Sequence, residues 1–142
     1  MAHVVIIYHS THGHTKCQAE AVLRGAQAVP DITTQLYTVD EATYHLDELD
    51  KADAIIFGCA TYMGSMSAGM KSFIEATVKK WFAQSWKDKI AGAFTNSSSF
   101  SGDKLNTHLL SQERVFVVRR IVNARRQDDD ARIIDVLGGQ VH

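Results

Sequence analysis

The chain predicts an α/β fold, a parallel sheet covered by helices on both faces, and three observations carry that prediction. Short unbroken apolar runs recur along the chain, as strands buried on both faces require. Segments with helical spacing of apolar residues separate those runs, which is the alternation a parallel sheet needs for its crossovers. The 142 residues are 45% hydrophobic with one proline and nine glycines, enough for one compact core and without a low-complexity linker. Residues 1–142 therefore read as a single domain.

The elements follow in order. "VVIIY" (4–8) is a buried strand, and "HTKCQAEAVLRGAQAV" (14–29) places Ala19, Val22, Ala26 and Val29 on one helical stripe. "ITTQLYTV" (32–39) alternates polar and apolar residues as a half-exposed edge strand does. A short helix is expected over "YHLDELDKAD" (44–53) and a buried strand over "AIIFG" (54–58). "SAGMKSFIEATVKKWF" (67–82) predicts one helix with Met70, Phe73, Ile74, Thr77 and Trp81 on a common face. "KIAGAF" (89–94) is a further buried strand, "DKLNTHLLSQ" (103–112) a helix and "VFVV" (115–118) the last apolar run. Cys59, ending a buried strand, and Cys17, on the first helix, both read as small packed residues rather than reactive thiols.

In open sheets of this kind ligands sit beyond the carboxyl ends of the strands. Three loops there are rich in small and hydroxyl residues: "HSTHGHT", "GCATYMGSMS" and "TNSSSFSG". Glycine lets backbone approach an anion, hydroxyls supply neutral donors, and the helix starting near Thr15 turns its free N–H groups toward the first loop. A phosphate suits such a loop without a metal or a lysine. His9, His12 and His14 have spacing that zinc uses, but no further Cys/His/Asp cluster completes a tetrahedral set, so no metal is expected. Turn and cap chemistry alone would also use Ser, Thr and Gly here. Neither the triphosphate-loop pattern nor the dinucleotide Gly-x-Gly-x-x-Gly pattern is present.

"YHSTHGHT", "AIIFGCATYMGSMSAGMKSFIEAT" and "GAFTNSSSFSG", in that order, resemble the three flavin mononucleotide loops of the flavodoxin-like fold, and within it the WrbA-type NAD(P)H:quinone oxidoreductases and related FMN-dependent reductases. The resemblance covers about residues 3–112. It implies a three-layer sandwich with five parallel strands in order 2-1-3-4-5. It also implies FMN as cofactor, NADPH or NADH as reductant, a quinone or similar acceptor, and a homodimer or homotetramer. Carried onto this chain, it places Ser10, Thr11, His12, Gly13, His14 and Thr15 around the FMN phosphate. Ala60, Thr61, Tyr62, Met63 and Gly64 border the isoalloxazine ring, and Asn96, Ser97, Ser98, Ser99 and Gly102 hold the ribityl chain and ring edge. Trp81 and His12 face the substrate, although helical spacing suits Trp81 equally to plain packing. No side chain is expected to be catalytic, because the flavin carries the chemistry.

Two departures from the family stand out. The segment "TVDEATYHLDELDKADA" is shorter than the family's, and the family's His-Gly turn is replaced by "VFVVRRIVNARRQDDDARIIDVLGGQVH", so residues 119–142 form an atypical C-terminal segment. That segment mixes five arginines with Asp128, Asp129 and Asp130 and reads as solvated rather than as a nucleic-acid patch. A net charge of −1 argues against nucleic-acid binding and against a strongly acidic electron carrier, the main alternative function; a flavin-free family member is the other. The N-terminus lacks signal-peptide features and no apolar run reaches the ~20 residues of a membrane span, so a cytoplasmic location is expected.

Overall fold

The structure is a computed structural model and describes residues 1–98 and Thr107. Its elements are β1 (Ala2–His9), α1 (His14–Gln27), β2 (Ile32–Thr38), α2 (Val39–Tyr44), α3 (Leu46–Leu49), β3 (Ala54–Tyr62), β4 (Ser65–Met66), α4 (Ala68–Ala76), α5 (Val78–Phe82) and β5 (Ile90–Asn96). The long strands are parallel in the order β2-β1-β3-β5, and the two-residue β4 folds back antiparallel on the end of β3. This is the first four positions of the expected 2-1-3-4-5 order. The expected helix 103–112 apart from Thr107, the strand 115–118 and the segment 119–142 lie outside the described residues.

Why β1 is an unbroken apolar run is visible in what each face meets. Val5 and Ile7 enter one core with Val39, Ala42, Leu49, Ile55, Phe57, Met70, Phe73 and Trp86, beneath α2 and α4. Ile6 and Tyr8 point the other way, to Ala19 of α1 and to Phe94. Alternate residues serve opposite layers, so none can be polar without leaving a buried group unpaired. Edge strand β2 is half-buried along most of its length, as its alternating sequence predicts.

Several boundaries differ from expectation. The α2 helix begins at Val39, well before the expected Tyr44, because Thr38 and Glu41 form a capping box: the Thr38 hydroxyl accepts from Glu41 N at 3.2 Å and Glu41 Oε2 accepts from Thr38 N at 2.8 Å. The Thr38 N–H and, at 3.0 Å, the Thr38 hydroxyl both donate to Glu41 Oε2 and lower the pKa of that carboxyl. The single helix expected over 67–82 is two, divided at Thr77, whose hydroxyl donates to the Ile74 carbonyl at 2.7 Å. Trp81 consequently leaves the buried stripe and is 44% exposed, edge-on to Phe82. Val29 falls beyond α1 and is exposed, and Cys17 is also exposed, whereas Cys59 is buried as expected.

Ionic groups collect at the amino ends of the strands. Lys80 Nζ donates to Asp47 and Asp50, both at 2.6 Å, and Trp86 Nε1 donates to Asp50 Oδ1 at 2.6 Å. Hydrogen bonds from Lys80 lower the Asp47 pKa, and the same contacts raise that of Lys80. Lys89 Nζ donates to the carbonyls of Asp50, at 2.8 Å, and Ala52; burial pushes its pKa down. Asp50→Ala removes the carboxylate that accepts from the indole N–H of Trp86, a residue only 2% exposed, and should cost about 1–3 kcal/mol, whereas Asp50→Asn keeps an acceptor and should cost less. Urea denaturation of both variants checks this, and equal losses would mean that the Trp86 bond contributes little.

Candidate functional site: a cleft at the carboxyl ends of the strands

Because β1, β3 and β5 run parallel, the segments leaving their carboxyl ends meet at one place. There they enclose a cleft of about 360 Å³ lined by Ser10, Thr11, His12, His14, Thr15, Ala60, Thr61, Tyr62, Asn96, Ser97 and Ser98. That size lies within the range of small-molecule sites. Eleven of the residues expected from the sequence are thus brought together, and among the described residues the lining includes no Asp, Glu, Lys or Arg.

The first wall is the start of α1. Gly13 is its N-cap at φ 90°, a left-handed conformation that glycine adopts without a steric cost, and a Cβ there would meet open space. Its N–H donates to Ser10 Oγ at 3.0 Å, which closes the loop on itself. No side chain caps the helix and its first turn holds no acid, so first-turn N–H groups and the positive end of the dipole remain available to an anion. Thr15, 2% exposed, donates its hydroxyl to Asn96 Oδ1 at 3.2 Å, tying α1 to the end of β5.

The second wall is the end of β3, which extends four residues past its expected limit, through Cys59, Ala60, Thr61 and Tyr62. Thr61 Oγ1 meets Thr95 Oγ1 at 2.8 Å and donates to Thr107 Oγ1 at 3.0 Å. Thr95 and Thr107 escaped sequence reasoning, since a threonine gives no sign of a partner 34 or 46 positions away. Met63 and Gly64 then turn the chain into β4, both at positive φ (49° and 74°), the pattern of a type I′ hairpin. Neither lines the cleft; Met63 is fully exposed beside the half-exposed Tyr62. Trp81 on α5 is likewise absent from the lining. Ser99 and Gly102 lie outside the described residues.

His9, at the end of β1, packs against the first turn of α4: a Cβ on Gly69 would lie 2.4 Å from the imidazole ring. The glycine therefore makes room for a side chain that sits between the first loop and the element following β4. Among the described residues, no set of three or more His, Cys, Asp or Glu side chains is placed to hold a metal, and no helix is long and apolar enough to cross a membrane.

A family model described as NADPH-dependent FMN reductase matches residues 2–124. The chain belongs to that family. It is 45% identical over 104 residues to the Flavodoxin FldP of Pseudomonas aeruginosa, covering 73% of this chain and 55% of that protein. It is 35% identical over 142 aligned residues to an NAD(P)H dehydrogenase (quinone) of Geobacter sulfurreducens, covering 80% of this chain and 70% of that one. The crystal structure of a flavodoxin, WrbA-like protein from Agrobacterium tumefaciens superposes with a TM-score of 0.70 at 42% identity, covering 82% of this chain and 75% of that chain. The chain thus spans little more than half the length of the first of these relatives, and the flavodoxin-like sheet order and helical layers expected from the sequence are those found.

Proposed function

We propose that this chain binds FMN in the cleft and serves as an NAD(P)H-dependent oxidoreductase acting on a quinone or a similar acceptor. The observation that carries the reading is the uncapped start of α1, open at Gly13 and flanked by the hydroxyls of Ser10, Thr11 and Thr15, which suits a phosphate held by neutral donors. Family membership and the relatives named as NAD(P)H dehydrogenases support it.

When bound, FMN would supply the hydride chemistry that connects NADPH or NADH with the acceptor. The residues of the chain bind and orient. Ser10 to Thr15 would hold the phosphate; Asn96, Ser97 and Ser98 would hold the ribityl chain; Ala60, Thr61 and Tyr62 would border the ring. Tyr62 and His12, both exposed at the cleft, would be the side chains that touch an acceptor. No acid–base pair is required of the protein.

The similarity to a protein named a flavodoxin favours a second reading, a carrier served by a separate reductase. One experiment separates the two. Under anaerobic conditions NADPH or NADH alone should bleach the bound flavin, and a quinone should restore its colour through many cycles. Absorbance that persists until a separate reductase protein is added would assign the chain as a carrier.

A further inference from the structure

The cleft holds one pair of groups that its phosphate-binding role does not require. His12 and His14 flank the helix-capping Gly13, both exposed and both in the lining. Phosphate loops at helix starts function with backbone N–H groups and hydroxyls alone, so two imidazoles there add something else. Among the described residues their electrostatic surroundings are simple. From β3 the only titratable side chain in the lining is Tyr62, and the end of β5 contributes Asn96, Ser97 and Ser98, none of which titrates in water. On their own stretch of chain, His9 and Lys16 are the nearest titratable side chains in sequence, and neither lines the cleft.

We propose that His12 and His14 make the cleft a proton-coupled phosphate site, in which entry of a phosphate dianion draws a proton onto an imidazole and rising pH releases the ligand. The inference rests on the FMN reading for the identity of the ligand but on the histidines for its pH dependence. The sign follows from linkage. An anion beside an imidazole favours the charged ring, so the bound state carries more protons than the free state and affinity falls as pH rises. A phosphate monoester has its second pKa near ~6, so between pH 6.5 and 8.5 the ligand stays mostly dianionic and the change reports the protein.

The test is a fluorescence titration of the full chain with FMN and with riboflavin at pH 6.5, 7.5 and 8.5. FMN affinity should fall about five- to tenfold across that range, the size expected for uptake of one proton, while riboflavin affinity stays within about twofold. The His12→Gln, His14→Gln double variant, altered only at exposed positions, should bind FMN with no dependence on pH. A parallel NMR titration of the wild-type imidazole resonances with glycerol 3-phosphate, a monoester that like FMN is mostly dianionic over this range, should shift both histidines at pH 6.5, and shift them less at pH 8.5. FMN affinity that is flat with pH, an equal fall for riboflavin, or a fall that survives in the double variant would overturn the proposal. Should neither flavin bind while glycerol 3-phosphate still shifts both imidazoles in the pH-dependent manner, the FMN reading fails and the proton-coupled anion site stands. Imidazoles that glycerol 3-phosphate leaves unmoved at pH 6.5 would overturn it whether or not flavin binds.

Discussion

Gly58→Ala should lower the stability of the chain by about 2–3 kcal/mol, the upper part of the range for forcing extra atoms into a packed core. Gly58 is buried in the middle of β3, and a Cβ built on it would lie 2.0 Å from Cζ of Phe94 and 2.3 Å from Cε2. The ring cannot swing aside at little cost. Phe94 is 3% exposed, packed with Ile6, Tyr8 and Ala19 on the α1 side of the sheet. In an open strand alanine would be the better residue, because it loses less chain entropy on folding than glycine. The prediction is therefore of opposite sign to the propensity rule. A fall of about 6–10 °C in Tm checks it, with Gly58→Ala, Phe94→Leu in one chain recovering part of the loss by opening the space. An unchanged Tm for the single variant would mean that Phe94 has room the structure does not show.

Thr15→Val should weaken FMN binding by about tenfold to a hundredfold, corresponding to about 1.5–3 kcal/mol for a hydrogen bond involving a charged group, and should leave riboflavin binding nearly unchanged. Valine matches threonine in shape, so the buried position stays filled and only the hydroxyl is lost. In the structure that hydroxyl donates to Asn96 Oδ1 at 3.2 Å, so the residue both faces the cleft and braces the end of β5. Comparing the two flavins separates these roles. Equal losses for FMN and riboflavin would place the effect in the Asn96 brace rather than at the phosphate. Thr15→Ser should restore most of the difference in either case, since it returns the donor.

Some of this was plain in the sequence and some was not, for physical reasons. The β1 run and the loop behind it were legible because burial on both faces leaves an uninterrupted apolar signature and because Ser10, Gly13 and Thr15 are residue types that backbone geometry and anion binding select. The far end of β3 was not, since Ala60, Thr61 and Tyr62 have the composition of a loop, and their strand conformation comes from pairing with β4 and β5. At α2 the signal existed: Thr38 and Glu41 are spaced as a capping box, but the strand-like "ITTQLYTV" hides it. The break at Thr77 turns on one hydroxyl that bonds the preceding turn, and periodicity cannot report that. Bonds such as Thr15 to Asn96 join residues 81 positions apart and become visible only in the fold.

The placement of ionic groups has a consequence for how such a chain can change. Strand β3 has nine residues, so the Asp47, Asp50, Lys80 and Lys89 network and the cleft stand at opposite ends of a strand roughly 30 Å long. At physiological ionic strength charges are screened over about 8 Å, which makes that separation several screening lengths. Substitutions that retune the network leave the potential in the cleft nearly untouched, and new side chains around the cleft do not disturb the ion pairs beneath. Ligand preference and fold maintenance can therefore drift under separate selection, each end of the sheet being mutated without a compensating change at the other.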